Sequence, residues 1–409
     1  MKRRRICLPS MAGGSVWSSI PGDLLEHISG HLSSDADLLH IHQVCAHWRA
    51  CTSPPAACRP WIMAHSTSWS RSRAPGDPDY SLWLPRRVLQ RRVEIGGPPP
   101  AGLRYCCGAS RGWLALVDGA PTRLVLWEPA SGAEVPLPCL SPVARVFLSG
   151  DPLASAGWMA IASQSIGGHA HRPFFWRPGD AAWSSLREQP IAGIVSVAFH
   201  GERVYYLEAR RVVVAYDLNL GTARPPAFVG IRNVGWLVNR LCRCERLIHV
   251  VRGAHLVTCA GELLLVVLRR GPALRRGGRP PRSSCGPSFC SSFAEVYRPE
   301  WRSQGTLELG ERVTDLGENS LFLGGGESFA LSAKEFPAIK RNHVYCVAPD
   351  WNYSLKGDRT LPGWAFVFDL GSDTLKEIPY PKDLRDDGTN WWPYSWFCLR
   401  SPLMKKQQQ

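Results

Sequence analysis

Cys45, His47 and Cys51 fall within the eight residues Val44–Cys51, VCAHWRAC, and His27, His31, His40 and His42 lie close upstream. Thiols and imidazoles at this density are the donor set of a structural zinc site, so their spacing has to be examined. On a continuous helix Cys45 and His47 lie about 200° apart around the axis and cannot share an ion. His47 and Cys51 at i, i+4 make half a site. A structural zinc needs a second close pair, and Cys58, beyond two prolines, is a single candidate. Cys242 and Cys244 with His249 form another loose group. The competing reading takes the cysteines as small buried hydrophobes and the histidines as surface imidazoles. On that reading no metal and no cofactor are expected.

Nucleophilic and phosphate chemistry have one match each by spelling. GASRG, Gly108 to Gly112, fits G-x-S-x-G, but a nucleophile elbow needs a helix after the serine. Here WLALV follows, a strand pattern, and Ser110 is expected in a turn entering a β hairpin. FLGGGES has the glycines of a phosphate loop without its lysine. Asp386 and Asp387 lie in a polar stretch where solvation accounts for them. No enzyme is expected.

These residues must be held by structural elements. Residues 17–51 are the one helical stretch. Leu25, Ile28 and Leu32 fall at i, i+3, i+7, and Leu38, Ile41, Cys45 and Trp48 at i, i+3, i+7, i+10, each an apolar stripe at the helical period. Pro21 suits a first turn, with Asp23 and Glu26 near the positive end of the dipole. Ser34 and Asp37 fit a capping box for a second helix. So small a unit cannot bury Leu24, Leu25, Leu38, Leu39, Val44 and Trp48 against itself. They need the rest of the chain or a partner protein.

Of the 409 residues, 17 are Trp, 38 Gly and 34 Pro, a balance that favours short strands joined by turns. After about residue 105 a unit recurs: a strand ending in an aromatic, a small-residue turn, then a hydrophobic close. VLWEPASGAEVPLP, FFWRPGDAAWSSL, VAYDLNLGTARPP, EVYRPEWRSQGTLEL and FVFDLGSDTLKEIP are its copies. Trp127, Trp176 and Tyr216 occupy equivalent places 49 and 40 residues apart, and Tyr297 and Phe368 continue the series. A period of this length in an all-β chain predicts propeller blades. Five are legible, and a sixth is expected from strands near residues 68–105 joined by the C-terminal SWFCLR.

The net charge of +14 is concentrated: Lys2, Arg3, Arg4 and Arg5, with Arg269, Arg270, Arg275, Arg276, Arg279 and Arg282, supply ten charges and leave +4 elsewhere. A solvated basic tail and loop are the plain reading, and a nuclear-import signal or an RNA-contacting arm the sharper ones. No apolar run approaches the roughly 18–20 residues that span a bilayer. The basic start lacks the apolar core of a secretory signal. The fourteen cysteines are therefore expected reduced, in cytoplasm or nucleus, and the sequon at Asn352 to be a chance match.

WSSIPGDLLEHISGHLSSDADLLHIHQVCAHWRAC, Trp17 to Cys51, resembles an F-box. The match runs through Ile20-Pro21, Asp23-Leu24-Leu25, Ile28, Leu32, Asp37-Leu38, Val44-Cys45 and Trp48-Arg49. Ile20 departs from the usual leucine, and LLHIHQ lacks the basic residue often found before Val-Cys. The remainder resembles plant F-box proteins that carry a KIB-type β-propeller. LVLWEPASGAEVPLP, FFWRPGDAAWSSL, RVTDLGENSLFLGGGESFALSAKEFPAIKRNHVYCV and AFVFDLGSDTLKEIP carry that likeness.

The resemblance implies a mostly β fold: an all-α F-box of three short helices, then a kelch-like propeller of five to six blades. The expected boundaries are a basic tail at 1–16, the F-box at 17–53, a linker leading into the propeller at 54–104, the propeller at 105–400 with an Arg/Gly/Pro/Ser-rich insertion at 269–290, and a tail at 401–409. It also implies a non-catalytic substrate receptor of a Skp-adaptor–cullin ubiquitin ligase. Ile20, Pro21, Leu24, Leu25, Ile28, Leu32, Leu38, Leu39, Val44, Cys45, Trp48 and Arg49 would face the adaptor, and the propeller would present a target protein. Trp351 and Tyr353 are weak candidates for touching that target. The alternative is a propeller scaffold whose F-box engages no adaptor and whose loop at 269–282 meets nucleic acid.

Overall fold

The computed structural model describes residues 19–31, 41, 44–52, 60–66, 79–84, 91–93, 99–118, 120, 123–129, 131–155, 157–167, 170–209, 212–234, 250–271, 291–301, 307–336, 339–347, 364–379 and 391–399. The chain divides into two compact units, one within Met1–Ala57 and one within Cys58–Arg400. No described helix is long and apolar enough to cross a membrane.

The first unit contains α1 (Gly22–Gly30) and α2 (Ala46–Cys51). Pro21 is the N-cap of α1 rather than part of its first turn, and Asp23 follows where the dipole favours an acid. The stripe expected to run unbroken from Ile41 through Trp48 is interrupted. Ile41 and Val44 are helical, but Cys45 is extended and caps α2, its Sγ accepting the Trp48 N–H at 3.5 Å. Satisfying one of the first free N–H groups of α2 is what favours a new helix start at this point. The expected cap at Ser34 and Asp37 lies outside the described residues.

The second unit is a β-propeller, with six sheets among the described residues. Sheet 1 joins β1 (Trp61–Ser66), β2 (Tyr80–Leu84) and β3 (Arg91–Val93) to the last strand, β25 (Trp391–Phe397), which lies innermost beside β1. The sixth blade expected from strands near residues 68–105 and the C-terminal SWFCLR is thus present, and its strands begin earlier, at Trp61, within the segment 54–104 set down as linker and propeller entry.

Sheet 2 is β4 (Leu103–Ser110), β5 (Trp113–Asp118), β6 (Leu124–Glu128) and β7 (Ala133–Leu137). Sheet 3 is β8 (Val143–Leu148), β9 (Ala160–Gly167), β10 (Ala170–Trp176) and β11 (Ser184–Ser185). Sheet 4 is β12 (Ile194–His200), β13 (Arg203–Glu208), β14 (Val212–Asp217) and β15 (Ala227–Asn233). Sheet 5 is β16 (Val250–Cys259), β17 (Glu262–Gly271), β18 (Ser291–Trp301) and β19 (Leu307–Val313). Sheet 6 is β20 (Asn319–Leu323), β21 (Phe329–Ser332), β22 (His343–Cys346), β23 (Ala365–Asp369) and β24 (Thr374–Ile378), with β21 added to the side of β20 away from β22. Strands within each sheet are antiparallel neighbours, except that β20 and β22 run parallel.

The recurring aromatic now has a physical role. Trp127, Trp176, Tyr216 and Tyr297 sit on the third strand outward from the axis, on β6, β10, β14 and β18, and Phe368 occupies the matching strand β23. Trp83 on β2 completes the set, and all six are buried. The apolar clusters lie between blades: Trp176 packs where sheets 2 and 3 meet, Tyr216 between 3 and 4, Tyr297 between 4 and 5, Phe368 between 5 and 6, and Trp83 between 6 and 1. One large ring per blade fills the wedge that radiating sheets leave open.

Three inner hairpins close in two-residue turns, Arg111-Gly112, Gly201-Glu202 and Ala260-Gly261, each with positive φ at both positions. This is the turn whose twist suits a tight antiparallel pair, and it explains Gly112 in GASRG. A strand, β5, follows the serine at once, and Ser110 is buried at the end of β4 with its hydroxyl donating to Glu327.

Gly324, Gly325 and Gly326 bind sheet 6 to sheets 1 and 2. Gly325 N–H donates to the Tyr394 carbonyl at 2.7 Å, Gly326 N–H to Ser395 Oγ at 3.0 Å, and Glu327 N–H to the Ala109 carbonyl at 3.2 Å. A Cβ at Gly324 would lie 2.8 Å from Ser395 Cα, and one at Gly326 2.9 Å from the Ala109 oxygen. The glycines of FLGGGES are there so that backbone can approach backbone.

Candidate functional site

Two places gather side chains with something to do: the surface of the helical unit and the axis of the propeller. On the helical unit, α1 and α2 are in contact. His47 shares a hydrogen bond of 2.8 Å between its Nε2 and the Ile20 carbonyl, and a Cβ at Gly22 would come within 3.1 Å of Cys51 Sγ. Around this junction the apolar residues divide into two classes. Leu25 is fully buried, whereas Leu24, Ile28 and Val44 are 49 %, 38 % and 52 % exposed. Leu24 and Ile28, at i, i+4, share one face of α1.

The twelve residues expected to face an adaptor are thus not equivalent. Leu25 belongs to the core, because its methyl groups already have neighbours. Leu24, Ile28 and Val44 keep apolar surface in water, which costs roughly 25 cal/mol per Å² until something covers it. Ile20, Cys45 and Trp48 are half-buried and Pro21 is exposed. Arg49 lies in α2, and Leu32, Leu38 and Leu39 are outside the described residues, as are Trp351 and Tyr353.

The soft donors pair in twos. His27 and His31 approach to 3.2 Å between Nε2 atoms, and His47 Nδ1 lies 3.6 Å from Cys51 Sγ. Among the described residues no group of three metal donors converges. Cys58, Cys242, Cys244 and His249 lie outside them.

At the propeller axis the inner strands β25, β4, β8, β12 and β16, with β20 and β21, form the ring. Arg145 on β8 reaches β12, its Nη1 donating to the Val195 carbonyl at 3.0 Å. His255 Nδ1 on β16 lies 3.4 Å from Ser328 Oγ, and the Tyr394 ring on β25 stacks on His65 at 4.4 Å. Burial lowers the His255 pKa to about 4, with the Arg145 charge adding to the effect. Burial likewise takes His65 down to about 4 and pushes the Cys106 thiol and the Tyr394 hydroxyl each up to about 12. Glu327 is occupied by Ser110 and by Arg111, whose Nη2 is 3.7 Å away. Ser110 and Arg111 in GASRG and Glu327 and Ser328 in FLGGGES fall in motifs weighed from the sequence, whereas the others, drawn from sheets 1, 2, 3 and 5, share no local pattern.

The basic loop begins later than expected. Arg269 lies in β17, is 2 % exposed and is ion-paired with Glu295 at 2.5 Å, so its charge is neutralised inside the blade. Arg270 and Gly271 are also in β17, and residues 272–290 are outside the described residues.

A family model described as KIB1-4 beta-propeller matches residues 79–369. The chain belongs to the KIB1-4 beta-propeller family. No curated protein matches it. Among solved structures, TolB from Acinetobacter baumannii is 11 % identical over 86 % of this chain and 68 % of its own, with a TM-score of 0.36. A chain of the nidogen/laminin complex is 9 % identical over 83 % and 96 %, TM-score 0.35. A chain from the S. cerevisiae complex of dbp5 with nup159 is 6 % identical over 56 % of this chain, which spans half of that one, TM-score 0.28. For this KIB1-4 member the six sheets and the family match carry the fold.

Proposed function

We propose that this KIB1-4 propeller protein is the substrate-recognition subunit of a Skp-adaptor–cullin–F-box ubiquitin ligase, working in cytoplasm or nucleus and making no bonds itself. The observation that carries the reading is the uncovered apolar set Leu24, Ile28 and Val44 on a helical unit whose sequence resembles an F-box. Aliphatic side chains that stay in water on a small unit suit a partner's groove, and a stable contact buries about 1,200–2,000 Å² in all. The propeller would hold a target protein, and catalysis would be proximity to a ubiquitin-loaded enzyme brought by the cullin.

The test is co-purification of the full chain with a Skp-type adaptor and a cullin. Wild type should be retained, and Leu24→Asp/Ile28→Asp should lose the adaptor while keeping the circular dichroism of the intact protein. Equal capture of both proteins, or capture of neither while both are folded, would overturn the reading.

A further inference from the structure

We propose that the outer edge of sheet 4, strand β15, is a docking site to which an extended acidic segment of another protein adds as a fifth strand. Phe228, Val229 and Ile231 on this strand are 58 %, 42 % and 40 % exposed. β15 is the outermost strand of its sheet, and among the described residues no strand pairs with its outer side. Every second residue of such an edge turns its N–H and C=O away from the sheet. The outer strands β7, β11, β19 and β24 expose no large apolar side chain among the described residues; Glu134, Ser184, Glu311 and Lys376 are what they present instead. Edges are ordinarily kept polar to prevent pairing, so the one apolar edge marks a contact surface.

The exposed set has a fixed geometry. Phe228 lies opposite Tyr216 and Ile231 opposite Val214, and directly opposed residues share a face of a sheet. Val214 and Tyr216 belong to the cluster between sheets 3 and 4, so Phe228 and Ile231 continue that face toward the rim. Sheet 3 ends in the two-residue β11, too short a strand to cover them. Val229 is the extra residue of a bulge between them. The Phe228 ring meets Tyr216 edge to face, with centroids 5.6 Å apart. The segment leading into β15 is also held: Arg177, just after β10, donates to the Leu218 and Arg224 carbonyls at 2.9 and 2.6 Å, and Asn219 Nδ2 to the Pro225 carbonyl at 2.6 Å. An edge fixed in this way loses little freedom on binding.

Charge selects the occupant. From residue 210 to 233 the sequence sets Arg210, Arg211, Arg224 and Arg232 against Asp217, a net charge of +3. Asp217 already lies 4.0 Å from Arg203. Arg224 is exposed just before β15, and the Arg232 guanidinium folds over the strand, its Nη1 donating to the Ile231 carbonyl at 2.5 Å. A second copy of β15 laid along the first would oppose like charges, which destabilises a strand pair. A segment that alternates apolar and acidic residues instead sets its apolar side chains beside Phe228 and Ile231 and its carboxylates near the arginines. Main-chain bonds then give affinity and the side chains give specificity. In a substrate receptor this segment would belong to the target protein; that identity rests on the reading above, whereas the binding itself does not.

The experiment selects binders to the full chain from a random decapeptide library displayed on phage, then measures the enriched peptides by fluorescence anisotropy. Enriched sequences should alternate apolar and acidic residues. Phe228→Ser/Ile231→Thr should weaken their binding by ~10–100-fold, the scale of losing one aromatic and one aliphatic anchor. Arg224→Glu should weaken it by ~3–10-fold, the scale of reversing one surface charge near an acid. That variant keeps the apolar set, so it remains informative if the double variant does not fold. Amide exchange in β15 should slow when peptide is bound, as added main-chain pairing requires. No enrichment, enrichment of basic sequences, unchanged exchange in β15, or wild-type affinity in the folded variants overturns the proposal. A dimer of the chain that the double variant dissociates overturns it too, since the edge would then serve a second copy. All variants should capture adaptor as wild type does, so failure of peptide binding and failure of adaptor docking are read separately.

Discussion

Leu24 and Leu25 are neighbours of the same type, and their fates differ completely. Leu25→Ala should destabilise the helical unit by about 2–5 kcal/mol, whereas Leu24→Ala should change it by less than about 0.5 kcal/mol. Amide exchange of α1 would measure both. The helical period set Leu25 in a stripe with Ile28 and Leu32, but it could not say which members are covered, since Leu25 is buried and Ile28 is 38 % exposed. A second prediction concerns His65 and His255. Their folded pKa values of about 4 lie below the ordinary value of 6.5. The unfolded chain therefore takes up protons first on acidification. Their contribution to stability is complete above about pH 6.5 and is lost as the pH falls toward 4. The urea midpoint should drop between pH 7 and pH 5, and His255→Asn should reduce that drop; an identical drop in the variant would refute the assignment. The groups facing these rings are Tyr394 and the Cys106 backbone for His65, and Arg145 and Ser328 for His255.

Among the elements, the triple glycine between β20 and β21 is where sequence and structure are furthest apart. Read as letters it is a failed phosphate loop; in the fold it is a backbone clasp. Gly324→Ala should cost about 1–3 kcal/mol, because the new methyl group meets the Ser395 backbone, which cannot swing aside as a side chain does. Gly157→Ala, whose nearest neighbour would be 3.7 Å away, is the control and should leave the thermal midpoint nearly unchanged. The blades themselves were legible because the third-strand aromatic recurs from Trp127 onward, at intervals of 49 and 40 residues and then at wider spacing to Tyr297 and Phe368. Trp83 escaped notice because its sheet is assembled from the two ends of the propeller segment, so no local repeat surrounds it. The axis residues escaped for the same reason: 110 residues separate Arg145 from His255 and 139 separate His255 from Tyr394.

For the whole molecule, two compact units and a concentrated charge set the expectations. Residues 58–400 expressed alone should unfold in one cooperative transition and capture no adaptor. Persistence of adaptor binding in that fragment would move the docking surface to the propeller. With Arg269 paired inside β17, the loop reading for nucleic acid rests on Arg275, Arg276, Arg279 and Arg282. Four contacts to single-stranded RNA would give a log–log salt slope near about −3. Deleting residues 272–290 should abolish any such binding and leave the blades intact.

The pairing of β25 with β1 also sets an order in time. During synthesis β1 emerges some 325 residues before Trp391, a delay on the order of tens of seconds at ordinary elongation rates. Until then the nascent chain carries a first blade without its inner strand, and an apolar edge open to whatever is near. A message cut short anywhere before Trp391 would freeze that state, which makes truncated products natural clients for holdase chaperones and quality-control proteases.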